Sequence, residues 1–379
     1  MLIISVMGCR KPYNPPAITG NGSYLVVEGV INSGADSTTI KLSRTVNVSS
    51  ATAVNPVLNA SISVVSDQGA TFPLTETTNG NYVTGGLNLD NSHAYSLSIT
   101  TSDNKKYQSD MVPVVITPPI DSIGYNIVNA PLTGIQIYAN THDPSNHVKY
   151  YRWDYDENWA FHSKYPSNYV SNGTAIVLRT QAQNVTICYT NDVSSDIVLG
   201  SSAKLKQNLI YQSPIVSIAS TSEKIESDYS ILLRQYALTA DAYNFWVSLK
   251  KNTEQLGSIF DAQPSQLQGN IHCITTPSEP VIGYVSICTV SSKRGFISNA
   301  GLPNWVADYP YTCSVDSELY CAPPYCINYV ARYLIPPPFI LIPTTAIGNP
   351  RTPDGFMAST RECVDCTIRG TTTPPPFWK

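Results

Sequence analysis

Charged residues are scarce in this sequence. Asp, Glu, Lys and Arg make up 13% of its 379 residues, which is about half of the usual share. The formal net charge is −4, so the chain has no overall basic excess that would attract nucleic acid, and we expect no nucleic-acid partner. Polar uncharged residues and 24 tyrosines take the place of the missing charges. This composition is typical of a β-rich protein that works outside the cytoplasm.

Long apolar runs are also missing. A membrane-spanning helix needs roughly 18 or more consecutive apolar residues, and the sequence contains no such run. The nearest approach is YLIPPPFILIPTTAIG, which begins at Tyr333 and is interrupted by four prolines. Proline removes a backbone donor and breaks helices, so the sequence predicts no spanning helix.

Familiar catalytic and nucleotide-binding motifs are absent. The sequence contains no H-E-x-x-H, no G-x-S-x-G and no Walker loop. The GNG stretch at Gly20 lacks the third glycine of a dinucleotide site. A metal pair is conceivable at His142 and His147, but a solvated loop explains the turn THDPSNH better. We therefore expect a protein that is not an enzyme and that holds no metal or cofactor.

The segment RWDYDENW, Arg152 to Trp159, combines three carboxylates with aromatic side chains. In a strand, Asp154 and Asp156 share one face with the arginine, while the aromatic residues between them occupy the other face. An inward aromatic face and an outward polar face explain this pattern without a ligand. Two alternatives remain open, a calcium site that uses these oxygens and a glycosidase carboxylate pair that includes Glu157.

The chain begins with an apolar stretch that ends in Gly8 and Cys9. A small residue before a cysteine, behind a short apolar run, is the arrangement of a bacterial lipoprotein signal, in which the cysteine becomes the lipidated first residue. No Lys or Arg precedes the apolar run, so an apolar N terminus with an incidental cysteine is the alternative. We interpret residues 1–23 as a signal peptide and tether, with Cys9 as the lipidation site.

Eight further cysteines follow, and five of them lie after residue 310: Cys313, Cys321, Cys326, Cys363 and Cys366. An oxidising compartment would convert some of them to disulfides. The sequence has only one CxxC pair, at CVDC, whereas a structural zinc site usually needs two such pairs or added histidines. Structural disulfides are therefore favoured over free thiols and over a metal site. We expect these five cysteines to contribute at least one disulfide, with the pairing left open.

The pattern predicts a mainly β fold in two parts. Short alternating segments over residues 24–116 predict an immunoglobulin-like β-sandwich, and Asn79–Gly80 between two of them predicts a tight hairpin turn. A proline cluster that begins at Pro113 marks the boundary. Residues 117–379 predict a second, larger β-rich domain with at least one helix and a disulfide-prone C-terminal segment.

The second domain carries one helical pattern, near residues 240–256. Thr239 can cap it, and apolar residues follow at helical spacing: Ala242, Phe245, Trp246 and Leu249. From about Gly301 the chain is rich in Cys, Pro and Tyr, with little periodicity. We expect this tail to be held by disulfides more than by a core of its own.

Seven stretches spread over nearly the whole chain form a recognisable set. The longest runs from Leu232 to Ile271, and the others are YLVVEGVI, TIKLSRTV, IDSI, YYRWDYDENWAF, VIGYVSICTVSSKRGFI and RECVDCTIRGTTTPPPFW. Together they resemble the DUF4249 family of Bacteroidota. The resemblance implies an outer-membrane lipoprotein, often encoded beside a TonB-dependent transporter. The family has no established function, so only Cys9 carries over, to the lipidated position. Arg10-Lys11-Pro12 lacks the acidic residues that often direct such lipoproteins to the cell surface, which leaves the periplasmic or cell-surface face open.

On this basis we expect a non-enzymatic accessory protein that partners a TonB-dependent transporter in nutrient uptake at the outer membrane, and the sequence leaves open which small-molecule or glycan ligand it would bind. The alternative is a cell-surface glycan-binding module or hydrolase. A glycosidase needs two carboxylates about 5–9 Å apart in a cleft, and a sugar-binding module could use an aromatic platform at Trp159, Trp305 or Trp378. Aromatic residues more commonly fill sandwich cores.

Overall fold

The computed structural model describes residues 23–46, 55–254, 269–337 and 340–378. These residues form mainly β-structure, which confirms the predicted fold class. The strands of the first part of the chain are β1 (Leu25–Asn32), β2 (Thr38–Arg44), β3 (Asn55–Pro56), β4 (Ser61–Ser66), β5 (Thr71–Glu76), β6 (Asn81–Thr84), β7 (Ala94–Thr100), β8 (Lys106–Ser109) and β9 (Val112–Pro113).

The middle of the chain contains longer strands and the main helix. The strands are β10 (Ile120–Val128), β11 (Gly134–His142), β12 (Tyr150–His162), β13 (Tyr169–Ser171), β14 (Ile176–Leu178), β15 (Ile187–Val193), β16 (Val198–Ser201), β17 (Leu209–Ala219) and β18 (Asp228–Leu238), and the helix is α1 (Ala240–Glu254). The last part contains β19 (Ile271–Cys273), β20 (Val281–Ile282), β21 (Ile287–Cys288), β22 (Val290–Ser298), β23 (Asp316–Leu319), β24 (Ile342–Asn349), β25 (Thr352–Ser359) and the short helix α2 (Arg361–Val364).

The first of two compact units contains the described residues up to 114 together with residues 269–287. Its strands are hydrogen bonded along one continuous path, in the order β19-β8-β7-β4-β5-β6-β2-β1-β20. This path differs from the two separate sheets expected of an immunoglobulin-like sandwich, because β5 pairs with both β4 and β6 and so joins the two halves. Alternate side chains such as Val27, Ile40 and Leu97 form the buried core.

The hairpin between β5 and β6 is the tight turn that the sequence predicted. Asn79 and Gly80 have φ angles of 54° and 75°, the positive values that such a turn requires. A Cβ atom on Gly80 would lie 2.4 Å from the carbonyl oxygen of Leu42. Glycine is therefore required here by close approach as well as by its φ angle.

The predicted domain boundary needs one correction. The second unit contains the described residues from 115 to 254 and from 288 onward, so the division near residue 116 lies close to the predicted place. Residues 269–287, which the sequence assigned to the second domain, belong to the first unit. The reason is strand pairing: β19 pairs antiparallel with β8, and β20 pairs parallel with β1.

The second unit contains several sheets around its own core. One sheet has the order β10-β11-β17, and another has the order β15-β12-β18-β22 with β16 also on β12. Smaller sheets are formed by β23-β25-β24 and by β13-β14. The core includes Ile137, Tyr151, Trp153 and Leu233. The side chains of strand β12 alternate between buried and partly exposed, as predicted, and Trp153 is fully buried.

Helix α1 begins where the sequence predicted. The hydroxyl of Thr239 accepts a hydrogen bond from the backbone N–H of Ala242 at 3.2 Å, which satisfies one of the free N–H groups at the start of the helix. Ala242 and Phe245 are its buried residues. The predicted helix end near residue 256 lies outside the described residues. Among the described residues, no helix is long and apolar enough to cross a membrane.

Candidate functional site

The outer face of β12 carries an ion-paired cluster. The register of β12 and β18 places Asp154 opposite Arg234. The Nε of Arg234 donates to Asp154 at 2.5 Å, and its two Nη atoms donate to both oxygens of Asp156 at 2.7 Å each. Bidentate bonds of this kind fix both partners in orientation. These two carboxylates therefore hold β12 to β18 and are bound by a cation from the protein itself.

Glu157 lies on the opposite, inner face of β12 and is 3% exposed. Its oxygens accept a hydrogen bond from the Nζ of Lys224 at 2.5 Å and one from the hydroxyl of Tyr229 at 2.8 Å. Burial, followed by the nearby Glu157 carboxylate, raises the pKa of Tyr229 well above its usual value, so this hydroxyl is a permanent donor. The three carboxylates of RWDYDENW thus occupy two faces of one strand and do not converge as a glycosidase pair.

The three tryptophans considered as a sugar platform are packed in different places. Trp159 is 8% exposed, with the Nζ of Lys224 5.0 Å from its ring centroid. Trp305 packs against the core of the second unit. Trp378 makes an edge contact with Tyr189 at a centroid distance of 5.3 Å. Each of them therefore serves packing within the second unit.

Six cysteines form three disulfides, and these include all five that the sequence singled out. The pairs are Cys188–Cys366, Cys313–Cys363 and Cys321–Cys326. The first bond joins β15 to the tail across a sequence separation of 178 residues. Cys188 was not among the candidates because it lies far from the cysteine-rich tail. The proposed lipidation site, Cys9, lies outside the described residues.

A polar cleft lies in the second unit, beside β13, β14 and β24. Its volume is about 670 Å³, within the usual range of ligand sites. The cleft is lined by amide, hydroxyl and apolar side chains and one arginine: Pro166, Ser167, Asn168, Tyr169, Leu178, Arg179, Thr180, Gln181, Asn184, Thr186, Ile187, Thr345, Ala346 and Pro350. Most of these residues come from one stretch, 166–187, and the rest from β24 and the turn after it.

Hydrogen bonds fix the walls of this polar cleft to each other. The backbone N–H of Asn168 donates to the carbonyl of Thr344 at 3.0 Å, and the N–H of Arg179 donates to the carbonyl of Asn168 at 2.9 Å. The hydroxyl of Ser167 donates to the carbonyl of Pro343 at 2.8 Å. These bonds connect β24 to the segment before β13 and to the residue after β14. The cleft is therefore largely preformed.

Two disulfides lie directly behind the walls. The backbone N–H of Tyr165, next to the cleft residue Pro166, donates to the carbonyl of Cys363 at 3.0 Å, and that cysteine is bonded to Cys313. The backbone N–H of Cys366 donates to the carbonyl of Val185 at 2.9 Å. The cysteine-rich tail thus secures the stretch that lines the cleft.

Arg179 is the single charged residue among the described residues that line the cleft. Its Nε donates to the hydroxyl of Ser167 at 3.0 Å, and its Nη1 donates to the carbonyl of Gln183 at 3.2 Å. Both acceptors are neutral. Partial burial lowers the pKa of Arg179 from its usual value, an effect that the carboxylate of Asp365 opposes. An arginine remains protonated at physiological pH all the same, so the cleft carries a positive charge.

The carboxylate of Asp365 is committed elsewhere. Burial works against its ionisation, but hydrogen bonds from Thr367 and Arg361 outweigh this and hold the pKa of Asp365 below its usual value. The bond from Arg361 Nε is 3.0 Å long. Asp365 therefore acts on Arg179 through its field, while its direct bonds go to other partners.

Sequence reasoning missed this site. Arg179 belongs to the segment AIVLRTQ, which matches no binding motif, and the other cleft residues form no motif either. Hydroxyl and amide residues are frequent throughout this chain, so their clustering at one cleft appears only in three dimensions. Chemically, the arrangement provides hydrogen-bond donors and acceptors and one cation, which suits ligand binding.

Comparison with known proteins agrees with the resemblance seen in the sequence. The DUF4249 family model, described as a domain of unknown function, matches residues 10–294. No curated protein matches the chain. The family match contains the long block from Leu232 to Ile271 and the greater part of the cleft, and it ends before β24. The chain belongs to the DUF4249 family.

Proposed function

We propose that this protein is a non-enzymatic accessory lipoprotein that binds a ligand at the outer membrane and assists a TonB-dependent transporter in nutrient uptake. The composition of the polar cleft is the main observation that supports ligand binding. Its lining offers amides, hydroxyls and one guanidinium, the groups that fix the orientation of a polar ligand. Among the residues that line it there is no carboxylate, histidine or cysteine to serve as a base or nucleophile.

The membrane location is supported by the lipoprotein-like signal that ends at Cys9 and by the family. Stable attachment needs more than one acyl chain, as bacterial lipoproteins provide. The tether from Arg10 to Ser23 could extend at most about 45–50 Å. An anchor of this kind confines the protein to the membrane surface and raises its effective concentration near a membrane partner.

The segment after Gly301 is the surface that we propose for the transporter. Tyr325 is 83% exposed and Val306 is 78% exposed, and exposed aromatic and apolar side chains are favourable at protein interfaces. The disulfide between Cys321 and Cys326 closes the loop that carries Tyr325. A loop closed in this way loses less conformational entropy when it binds.

A second candidate function, a glycan-binding module, is favoured by the same cleft composition and is compatible with the first. The hydrolase alternative gains less support from the geometry. Asp154 and Asp156 are both bonded to Arg234, and Glu157 lies on the inner face of the strand. A catalytic pair would need two carboxylates that face one cleft.

The transporter role is tested by photo-crosslinking in the native membrane. A photoreactive amino acid at position 325 should capture a TonB-dependent transporter, identified by mass spectrometry. A matched control at Tyr211, which is 72% exposed and lies in the same unit on β17, should capture much less. Equal capture at both positions, or capture of no transporter at position 325, would contradict the proposed surface.

A further inference from the structure

Arg179 has unused hydrogen-bonding capacity. A guanidinium carries five N–H groups, and within the part of the chain that the structure describes two of them are bonded, to Ser167 and to the carbonyl of Gln183. The remaining three N–H groups belong to Nη1 and Nη2. Because the two existing bonds fix the plane of the guanidinium, the free groups are held in a defined orientation.

The charge of Arg179 also lacks a bonded anion among the described residues, because Asp365 acts on it only through its field. Arg234 and Arg361 each donate to a carboxylate, whereas Arg179 forms no ion pair with any of the described residues and bonds only neutral oxygens. The residue is half-buried. Partial burial of an unpaired cation is unfavourable, and an anion in the cleft would remove this cost.

The rest of the cleft is suited to hydroxyl groups. The side chains of Asn168, Gln181 and Thr345 are exposed in the lining of the cleft, so their donors and acceptors are available to a ligand. The hydroxyls of Thr180 and Thr186 and the amide of Asn184 line the same cleft. A hydroxyl group both donates and accepts hydrogen bonds, so a ligand with several hydroxyl groups can bond the amides and the hydroxyls of the lining.

The number of cations limits the kind of anion. Phosphate groups carry up to two negative charges and are usually bound by more than one cation or by a helix end. A carboxylate carries one charge and matches the planar fork of a single arginine. Arg179 is the one cation in the described lining of the cleft, which favours a carboxylate.

We propose that the polar cleft binds a carbohydrate that carries a carboxylate, such as a uronic-acid oligosaccharide, with Arg179 as the residue that recognises the carboxylate. This inference rests on the binding role proposed above for the cleft. The sugar hydroxyls bond the amides and hydroxyls of Asn168, Gln181 and Thr345, and the carboxylate bonds the free N–H groups of Arg179. Binding requires no covalent step.

The test is binding of purified full-length protein to a set of matched oligosaccharides. The set contains galacturonate, alginate and heparosan oligosaccharides and sialyllactose, each beside its carboxyl-reduced neutral counterpart, together with sugar phosphates and short peptides. We expect at least one acidic sugar to bind and its reduced counterpart to bind about tenfold or more weakly, because a hydrogen-bonded charge pair is lost. Binding of neutral sugars as strongly as acidic ones would overturn the inference and leave the binding role intact, as would a preference for phosphates or peptides.

Variants locate the interaction. Arg179→Gln should lower the affinity for the acidic sugar about tenfold or more. Arg179→Lys keeps the charge without the planar guanidinium and should retain part of the affinity. The matched control is Arg294→Gln, because Arg294 also bonds neutral oxygens, of Ser230 and Asn158, and lies outside the cleft. Unchanged binding in Arg179→Gln with an unchanged unfolding transition would overturn the assignment. If no member of the set binds, the inference fails, and the crosslinking at position 325 separately decides the transporter role.

Discussion

Lys224 donates from its Nζ to Oε2 of Glu157 at 2.5 Å, and this pair joins the inner face of β12 to the turn before β18. Glu157 also accepts from Tyr229. The carboxylate is almost fully buried, whereas the side chain of Lys224 is 25% exposed. Loss of the lysine would therefore leave the buried charge of Glu157 without a cation, and this lowers the free energy of unfolding.

Replacement of this lysine should destabilise the second unit. Lys224→Met should lower the free energy of unfolding by about 2–3 kcal/mol at pH 7. Lys224→Arg, which keeps a cation, should remain close to wild type. An unfolding free energy of Lys224→Met equal to that of wild type would show that the buried carboxylate does not depend on Lys224.

Intrinsic fluorescence follows the second unit selectively, because all five tryptophans belong to it: Trp153, Trp159, Trp246, Trp305 and Trp378. Urea unfolding followed at the tryptophan emission is therefore the measurement for each stability prediction in this unit. It also separates the second unit from the first, which reports through tyrosine alone.

The disulfides should differ widely in their contribution to stability. Cys188–Cys366 closes a loop across 178 residues and Cys321–Cys326 a loop across 5. If a disulfide stabilises by restricting the unfolded chain, the first bond contributes about 5 kcal/mol and the second about 2 kcal/mol to the free energy of unfolding. The double variant Cys188→Ser/Cys366→Ser should therefore lower the urea midpoint much more than Cys321→Ser/Cys326→Ser. Equal shifts would contradict the entropic account of the tail.

The turn THDPSNH should lose stability in acid through Asp143. Burial opposes its ionisation, but hydrogen bonds from Ser145, Val148 and His147 outweigh this and lower the pKa of Asp143 to about 2. A lowered pKa in the folded state contributes stability that is present above the unfolded value of about 4 and is lost as the pH falls towards 2.

Asp143→Asn should accordingly lower the free energy of unfolding by about 2 kcal/mol at pH 7. The difference in unfolding free energy between wild type and variant should narrow between pH 4 and pH 2, because the wild-type carboxylate takes up a proton in this range. Tryptophan-detected urea unfolding at several pH values measures the gap. A gap that stays constant down to pH 2.5 would mean that the carboxylate is not held ionised by this turn.

Cys9 should carry the membrane anchor. Cys9→Ala should move the protein from the membrane fraction to the soluble fraction or leave it as an unprocessed precursor, because the lipid would no longer be attached. Cell fractionation with immunoblotting measures this, and Cys321→Ser serves as a control that removes a different cysteine. Normal processing and membrane retention of Cys9→Ala would exclude this anchor.

Local patterns predicted the local parts of the fold. The alternation in β12, the turn at Asn79–Gly80 and the cap at Thr239 each depend on residues within a few positions of one another, so the sequence contains the whole signal. The resemblance to the family depends on similar stretches of neighbouring residues. These features could be predicted for that reason.

Long-range pairing could not be predicted in the same way. Residues 269–287 return to the first unit through two strands of three and two residues, which are too short to show a period. The bond between Cys188 and Cys366 joins residues with no local relationship. The position of Arg179 in the cleft depends on β24 as well as on its own segment, so no linear pattern reveals it.

The role that we propose for this protein is that of a binding partner of a TonB-dependent transporter. Affinity isolation of the tagged protein from detergent-solubilised native outer membranes, followed by quantitative mass spectrometry, tests this most directly. We expect recovery of one such transporter in an amount comparable to the protein, and its loss from the Cys9→Ala preparation. Recovery of no transporter, with turnover of a glycan or peptide by the purified protein, would contradict the account.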